Sequence, residues 1–286
     1  DPAAAAVGEN ATAEAYAQAR EKMGLDEPIH TQYIEWISGA LVGDFGQSIK
    51  GPPASEIIAS AFPATVELSV FSLIIGFGFG VVLGILAAVD RGGFWDYFAG
   101  LWTGWNIGVP SFIAGLLYLL VFAVWLGWFP VAGRVPFTEN QLEAMKHLVL
   151  PSFALGGIVA AQISRFTRQS ILDTLNEDYI RTARAKGLSE RAVIFKHALK
   201  PSMIPVVTIM GLQLGSILGG TLVIESVFTW PGMGRALVVA VRDRDYVMMQ
   251  AITLLLVMIF LSVNLLVDLV YVALDPRIRL GGTSEA

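Results

Sequence analysis

"EDYIRTARAKGLSERAVIFKHALKPSMIP", Glu177 to Pro205, is the most densely charged part of an otherwise apolar chain. Arg181, Arg184, Lys186, Arg191, Lys196 and Lys200 all precede Pro201, and apolar runs flank the stretch on both sides. Leu172, Leu175, Tyr179 and Ala183 recur at helical spacing and predict an amphipathic helix through its first part. Gly187 follows a Lys and suits the left-handed residue that closes a helix. Ser189 suits the N-cap of a second short helix, with Val193, Ile194, His197 and Ala198 on one face. Pro201 is expected to open the next apolar helix. The stretch therefore reads as two short helices with a bend at Gly187, each with one apolar side. Cations that only orient a loop or bind anionic lipid are the alternative, but the apolar stripes favour docking against a protein.

Composition sets the solvent. Hydrophobic residues make up 55% of the chain and charged residues 15%, with a mean hydropathy of +0.63. A soluble domain carries about 25% charged residues, so this is a membrane protein. The absence of cysteine excludes disulfides, thiolate metal sites and thiol catalysis. The net charge of -5 decides little, because placement of charge matters more than its sum in a bilayer.

Apolar runs of about 20 residues mark the spans. Five are expected: Ala64 to Ala88, Phe98 to Trp128, Leu148 to Ile163, Ser202 to Ile224 and Met248 to Leu274. The second is long enough to tilt or to break at Pro110. The larger share of the Lys and Arg residues falls in Asp90–Tyr97, Arg165–Lys200 and Asp275–Ala286, Arg277 and Arg279 included. The positive-inside rule then places these segments and the C-terminus in the cytoplasm. Five spans with that orientation put residue 1 outside. The opening "DPAAAAVGENATAEAYAQAREKMGLDEP" is polar and alanine-rich, and a span preceding it is expected.

Three glycine trios repeat every four residues: Gly76, Gly80 and Gly84; Gly100, Gly104 and Gly108; Gly211, Gly215 and Gly219. Each trio lies on one helix face and predicts close helix packing, with room for a translocation path as a compatible second use. Catalytic constellations are scarce. His30, His147 and His197 are far apart in sequence, and neither a nucleophile elbow nor a Gly-x-x-x-x-Gly-Lys-Ser/Thr phosphate loop occurs. Polar residues within the spans are Glu67, Asn106, Gln162, Gln213, Asn264 and Asp268. They are the candidates for a translocation path, with helix packing or interfacial solvation as the alternative.

The basic stretch resembles the EAA loop of bacterial ABC importer permeases. Arg181, Thr182 and Ala183 occupy the Glu-Ala-Ala positions and Gly187 the glycine. "RTARAKGLSERAVIFKHALKPSMIPVVT" is similar to the version in the peptide/nickel permease family. "GLDEPIHTQYIEWISGALVGDFGQS" (Gly24 to Ser48) resembles that family's external segment after a first span. "FPATVELSV" (Phe62 to Val70) resembles the start of its second span, "ESVFTWPGMGRALVVAVRDRDYVMMQ" (Glu225 to Gln250) its last external loop, and "DPRIRL" (Asp275 to Leu280) its tail.

The resemblance implies an all-α polytopic membrane subunit of the B type with six spans in the family pattern, the first of which would precede Asp1. Residues 1–61 would form an external segment, 62–280 the permease domain with a coupling loop at 171–200, and 281–286 a C-terminal tail. Thr182, Ala183 and Gly187, with Ser189 as the cap, would couple to an ATPase; Arg181 and Arg184 would add electrostatic contacts. The implied partners are a related second permease, two ATP-binding subunits carrying ATP and Mg, an external solute-binding protein and the lipid bilayer, with no nucleic acid. The implied cargo is a di- or oligopeptide. Nickel or another small solute remains open, as does a membrane anchor that recruits a cytoplasmic partner without transporting anything.

Overall fold

The computed structural model describes residues 2–8, 12–49 and 51–274. The tail, with "DPRIRL", Arg277, Arg279 and 281–286, lies outside the described residues. Among the described residues regular structure is helical, with one isolated β-bridge between Gln47 and Pro53.

Three short helices come first: α1 (Pro2–Val7), α2 (Ala13–Lys22) and α3 (Ile29–Leu41). Thr12 caps α2 by accepting the Ala15 N–H at 3.2 Å. None of the α3 residues is buried, and Ile29, Tyr33, Ile34 and Leu41 face outward. α4 (Ala54–Val89) follows, beginning eight residues before the boundary expected at 62 and running unbroken through Pro63. Its mean composition is apolar all round, as a buried or lipid-exposed helix requires.

The second apolar run is a bent pair. α5 (Phe94–Gly108) and α6 (Ser111–Tyr118), the latter extended by a π-helical turn at Leu119–Trp125, meet at 113°. Pro110 is the break: it forces Val109 into the extended region at φ -107° and ψ 124°. Among the described residues four helices are long and apolar enough to cross a membrane, or five if the bent pair counts as one span.

α7 (Gln141–Leu175) is the hub. In its most apolar window 72% of residues are buried, against 11% for α12 (Tyr246–Leu274). Asn140 caps it, accepting the N–H groups of Leu142 and Glu143. The α4 face carrying Gly76, Gly80 and Gly84 lies against Gly156, Val159, Ala160, Ile163, Ser164 and Thr167, in matching order along both chains, so α4 and α7 run parallel. A Cβ at Gly80 would sit 2.8 Å from the Ala160 carbonyl, and one at Gly84 2.6 Å from that of Ser164. Glycine here permits backbone contact that no side chain would allow.

The other trios behave differently. Added Cβ atoms at Gly100, Gly104 and Gly108 would meet nothing within 4 Å, so that face of α5 has no neighbour among the described residues. In the third trio Gly215 packs against Phe260 and Asn264, while Gly219 faces open space. Close packing holds for the first trio and for Gly215, and not for the α5 trio or Gly219; periodicity alone did not separate them.

α8 (Asp178–Ala185) and α9 (Glu190–Ala192) follow α7, then a π-helical turn at Val193–Ala198 leads into α10 (Leu199–Val227). α11 (Met233–Asp243) ends on Arg244, whose φ is +57°, and α12 follows. The main core joins α4, α6, α7 and α10 through Leu68, Leu148, Leu155, Ile163, Ile217 and Trp230. A second cluster, with Ile58, Met233, Met248 and Ile252, ties α11 to the starts of α4 and α12.

Two expectations for the basic stretch need correction. The helix expected through Leu172 and Ala183 is broken at Asn176–Glu177, which shifts the buried register: Ile180 is fully buried and Tyr179 is exposed. Pro201 does not start a separate helix either. It lies just after the π-helical turn at Val193–Ala198, within a helical path that runs from Glu190 into the span.

Candidate functional site

At one end of the bundle the basic stretch forms a folded hairpin of helices. α8 closes through a Schellman motif: the Gly187 N–H donates to the Arg184 carbonyl at 2.9 Å and the Leu188 N–H to that of Ala183 at 3.4 Å. Gly187 has φ +76°, the left-handed conformation this motif requires. Ser189 caps α9, its hydroxyl accepting the Ala192 N–H at 3.4 Å. Ile180, Ala183, Val193 and Ala198 form a small core with Leu175, so the bend is packed from inside.

The outward face carries the remaining chemistry. Leu188 and Phe195 are exposed, and so are Lys186, Arg191, Lys196 and Lys200. Arg184 does not point its charge away from the loop: its Nε and Nη2 bond both oxygens of Glu190 at 2.8 and 3.3 Å, bridging α8 and α9 across the glycine. Arg181 pairs with Asp178 at 3.2 Å on the exposed side of α8. The Thr182 hydroxyl donates to the Asp178 carbonyl at 3.1 Å, and Ala183 is buried.

The loop is also tied to the spans. Ser170 donates to the Ser202 carbonyl at 2.8 Å, and Ser202 to Thr174 at 3.1 Å, joining the end of α7 to the start of α10. Arg168 makes a two-pronged bond to Asp96 at 2.6 and 2.9 Å, and Asp96 accepts the Gly92 N–H at 3.0 Å. The turn before α5 is thereby fixed to the helix that delivers the loop.

The opposite end, roughly 43 Å away along the 29 residues of α10, holds a node that reading the sequence missed. Glu225 is fully buried. Its carboxyl accepts the Thr65 hydroxyl at 2.7 Å and the Arg235 N–H at 3.0 Å, with a further bond from the Gly234 backbone. Thr65 in turn accepts the Met233 N–H at 2.8 Å. The exposed N–H groups of the first turn of α11 are thus capped by a side chain from α10 and one from α4. Trp230 closes the turn, its indole N–H bonding the Ala64 carbonyl at 2.7 Å. Gly232 lies directly over the Glu225 carboxyl and leaves no room for a Cβ. The signal was present in "ESVFTWPGMG": an acid at a helix end followed by two glycines is a helix-capping pattern, but its partner Thr65 lies in another span.

The six polar residues expected along a path do not form one constellation. Glu67 is paired with Arg134, from the segment between the π-helical turn and α7. Asn106 is buried, bonds the Trp102 carbonyl at 3.0 Å and fills the space above Gly157. Gln162 is half-buried on α7, with its Oε1 unbonded. Gln213 accepts the Ser216 hydroxyl at 3.2 Å within α10. Asn264 packs near Gly215 at the α10–α12 contact, and Asp268 is exposed on α12. An apolar groove of about 600 Å³ between α4, α10 and α12 is lined instead by residues such as Phe62, Leu73, Met210 and Val263. Among the described residues no group of three or more His, Cys, Asp or Glu could hold a metal.

A strand-free bundle of this arrangement is the fold of an ABC transporter membrane subunit. A structure of the inward-facing MetNI methionine ABC transporter aligns at a TM-score of 0.59 and 17% identity, covering 77% of this chain and 96% of that one. An amino acid ABC transporter with histidines aligns at 0.55 and 14% identity, covering 75% of this chain and 92% of that one. Residues 80–280 match the family "Binding-protein-dependent transport system inner membrane component", residues 1–69 match its N-terminal counterpart, and the chain belongs to this family. The glutathione transport system permease proteins GsiC of Salmonella paratyphi A and Escherichia coli K12 are each 45% identical over 280 residues, covering 98% of this chain and 89% of theirs. The chain is therefore the permease subunit of an ABC importer in the bacterial inner membrane, a transport subunit that works with an ATPase and a binding protein and is not itself an enzyme.

Proposed function

We propose that this permease carries di- or oligopeptides, with tripeptides such as glutathione within its range. The 45% identity to GsiC across nearly the whole chain supports the substrate class. The Gly187 hairpin is the element that docks in a groove of the ATPase: its closed Schellman bend fixes the angle between α8 and α9, and its exposed Leu188 and Phe195 sit among four cations. That surface fits an acidic-rimmed apolar groove. Thr182, Ala183, Gly187 and Ser189 shape the docked helices, and Arg181 and Arg184 act through their ion pairs with Asp178 and Glu190.

In this reading the hairpin and the C-terminus are cytoplasmic, and residues 1–61 lie outside as a landing surface for the binding protein. A second, related permease completes the pore. Two ATP-binding subunits supply ATP and Mg chemistry. Closure of the two ATPases moves the docked hairpins, and α7, α4 and α10 carry that motion as rigid bodies toward the Glu225 end. ATP-dependent peptide uptake by the reconstituted transporter tests the reading. Uptake abolished by inactive ATPase subunits is the expected result; recruitment of the ATPase without uptake of any solute would make the chain an anchor.

A further inference from the structure

A cavity of about 370 Å³ opens at the Glu225 end, between α11, the first turns of α4 and residues Ser48, Ile49 and Gly51. Arg235, Val239 and Asp243 line it from one side of α11, at i, i+4 and i+8, over an apolar floor that includes Ile57, Ala61 and Met248. We propose that this cavity is a subsite for a short zwitterionic peptide, its carboxylate held by Arg235 and its ammonium by Asp243. The proposal rests on the peptide-importer reading and adds a place where the cargo is held on the permease itself.

The two charges are available. The Arg235 Nη1 donates to the Thr229 carbonyl at 3.3 Å, and among the described residues the guanidinium has no carboxylate partner. Asp245, also in the cavity wall, is already satisfied by the Ser48 hydroxyl at 2.6 Å and the N–H groups of Ile49 and Met248 at 3.0 and 3.1 Å. Asp243 is the less engaged acid: its ion-pair partner Arg242 lies at 3.7 Å, and that side chain is 76% exposed.

Their placement is also unusual for a helix. A cation in the first turn and an anion at the last residue both oppose the macrodipole of α11, whose N-terminus is the positive end. A bound peptide would reverse the sense locally, with its carboxylate toward the N-terminus and its ammonium toward the C-terminus. The two α-carbons are about 12 Å apart along the helix, at ~1.5 Å per residue, and both side chains line the same cavity, a span on the scale of a short peptide.

The test is direct binding of trialanine to the complete transporter in nanodiscs, without the binding protein, followed by saturation-transfer NMR and titration calorimetry. Trialanine should bind, and its N-acetylated, C-amidated form should bind at least tenfold more weakly. Arg235→Gln and Asp243→Asn should each weaken trialanine tenfold or more. The exchange Arg235→Asp with Asp243→Arg should recover much of the loss, because the peptide can reverse. No binding by the wild-type transporter, or equal binding of the blocked peptide, overturns the subsite without help from any variant. Peptide uptake measured in parallel separates the two ideas: uptake without binding removes the subsite alone, and the absence of both removes the peptide-cargo reading together with the subsite.

Discussion

Thr65 and Glu225 are 160 residues apart in sequence and share a hydrogen bond of 2.7 Å in the buried joint between α4, α10 and α11. Thr65 is the two-way member, donating to the acid and accepting the Met233 N–H at 2.8 Å. Through this pair the short helix α11 is fixed to α4, and α4 is locked along its glycine face to α7, the helix that delivers the basic hairpin. The pair thereby ties α11 into the same helix frame that carries the basic hairpin at its other end.

Thr65→Val keeps the shape of the side chain and deletes both bonds. Leaving buried polar groups without partners costs about 1–3 kcal/mol each. The variant should therefore lose several degrees of thermal stability in detergent, followed by tryptophan fluorescence. Thr65→Ser keeps the hydroxyl and should stay near the wild type. Equal stability of the valine and serine variants would show that the joint carries no energy.

The glycine trios give a contrast with opposite signs. Gly80→Ala places a methyl 2.8 Å from the Ala160 carbonyl and forces α4 from α7, an overpacking that costs about 1–3 kcal/mol. Gly104→Ala meets nothing within 4 Å among the described residues and relieves the helix of a glycine, a gain of about 0.5–1 kcal/mol. Thermal scans of the isolated subunit should separate the two. If Gly104→Ala instead impairs only the assembled transporter, the open α5 face is a subunit interface.

Gly187→Val puts a β-branched residue at φ +76°, at a local cost of about 1–2 kcal/mol. Space is not the obstacle, since a Cβ there meets nothing within 4 Å. The protein should still insert and assemble while ATPase stimulation and uptake fall, and Gly187→Ala should be milder. Normal uptake and normal ATPase stimulation in Gly187→Val would return the hairpin to an orienting or lipid-facing role.

The Arg184–Glu190 bridge separates stability from coupling. An exposed ion pair contributes about 0–1 kcal/mol, so Arg184→Glu should leave the melting temperature almost unchanged. It should lower ATPase-driven uptake, because it loosens the angle across Gly187. Adding Glu190→Arg restores the bridge with reversed polarity and should restore uptake. Failure of that rescue would mean that Arg184 acts on the partner directly.

The orientation is tested with introduced cysteines, since the chain has none of its own. Ser189→Cys should react with impermeant reagents from the cytoplasmic side alone, and Thr138→Cys from the outside alone. Thr138 is the better outer probe because it is exposed, whereas Ser48 is engaged by Asp245 at 2.6 Å. Labelling of Ser189→Cys from outside would reverse the topology and remove the docking proposal.

What the sequence determined by itself was local. The break at Pro110, the left-handed closure at Gly187 and the cap at Ser189 each depend on residues within one or two turns, where backbone sterics and unsatisfied N–H groups leave few choices. The spans were located but not measured, since Ala64 to Ala88 is only part of α4 (Ala54–Val89) and Leu148 to Ile163 only the middle of α7 (Gln141–Leu175). The hairpin was legible for that reason, apart from the break at Asn176, where no proline or glycine announces the change of register. What only the tertiary structure decided was which distant surfaces meet. The period of four is the same in all three glycine trios, yet only Gly76, Gly80 and Gly84 all face a neighbouring backbone, because the rotation of α7 against α4 is set by packing along the entire helix. Glu67, read as a possible path residue, is held by Arg134; Glu225, unremarked in its helix, is completed by Thr65. A polar side chain in a membrane must find a partner, but the sequence names only the need, and the partner depends on the register between helices far apart in the chain.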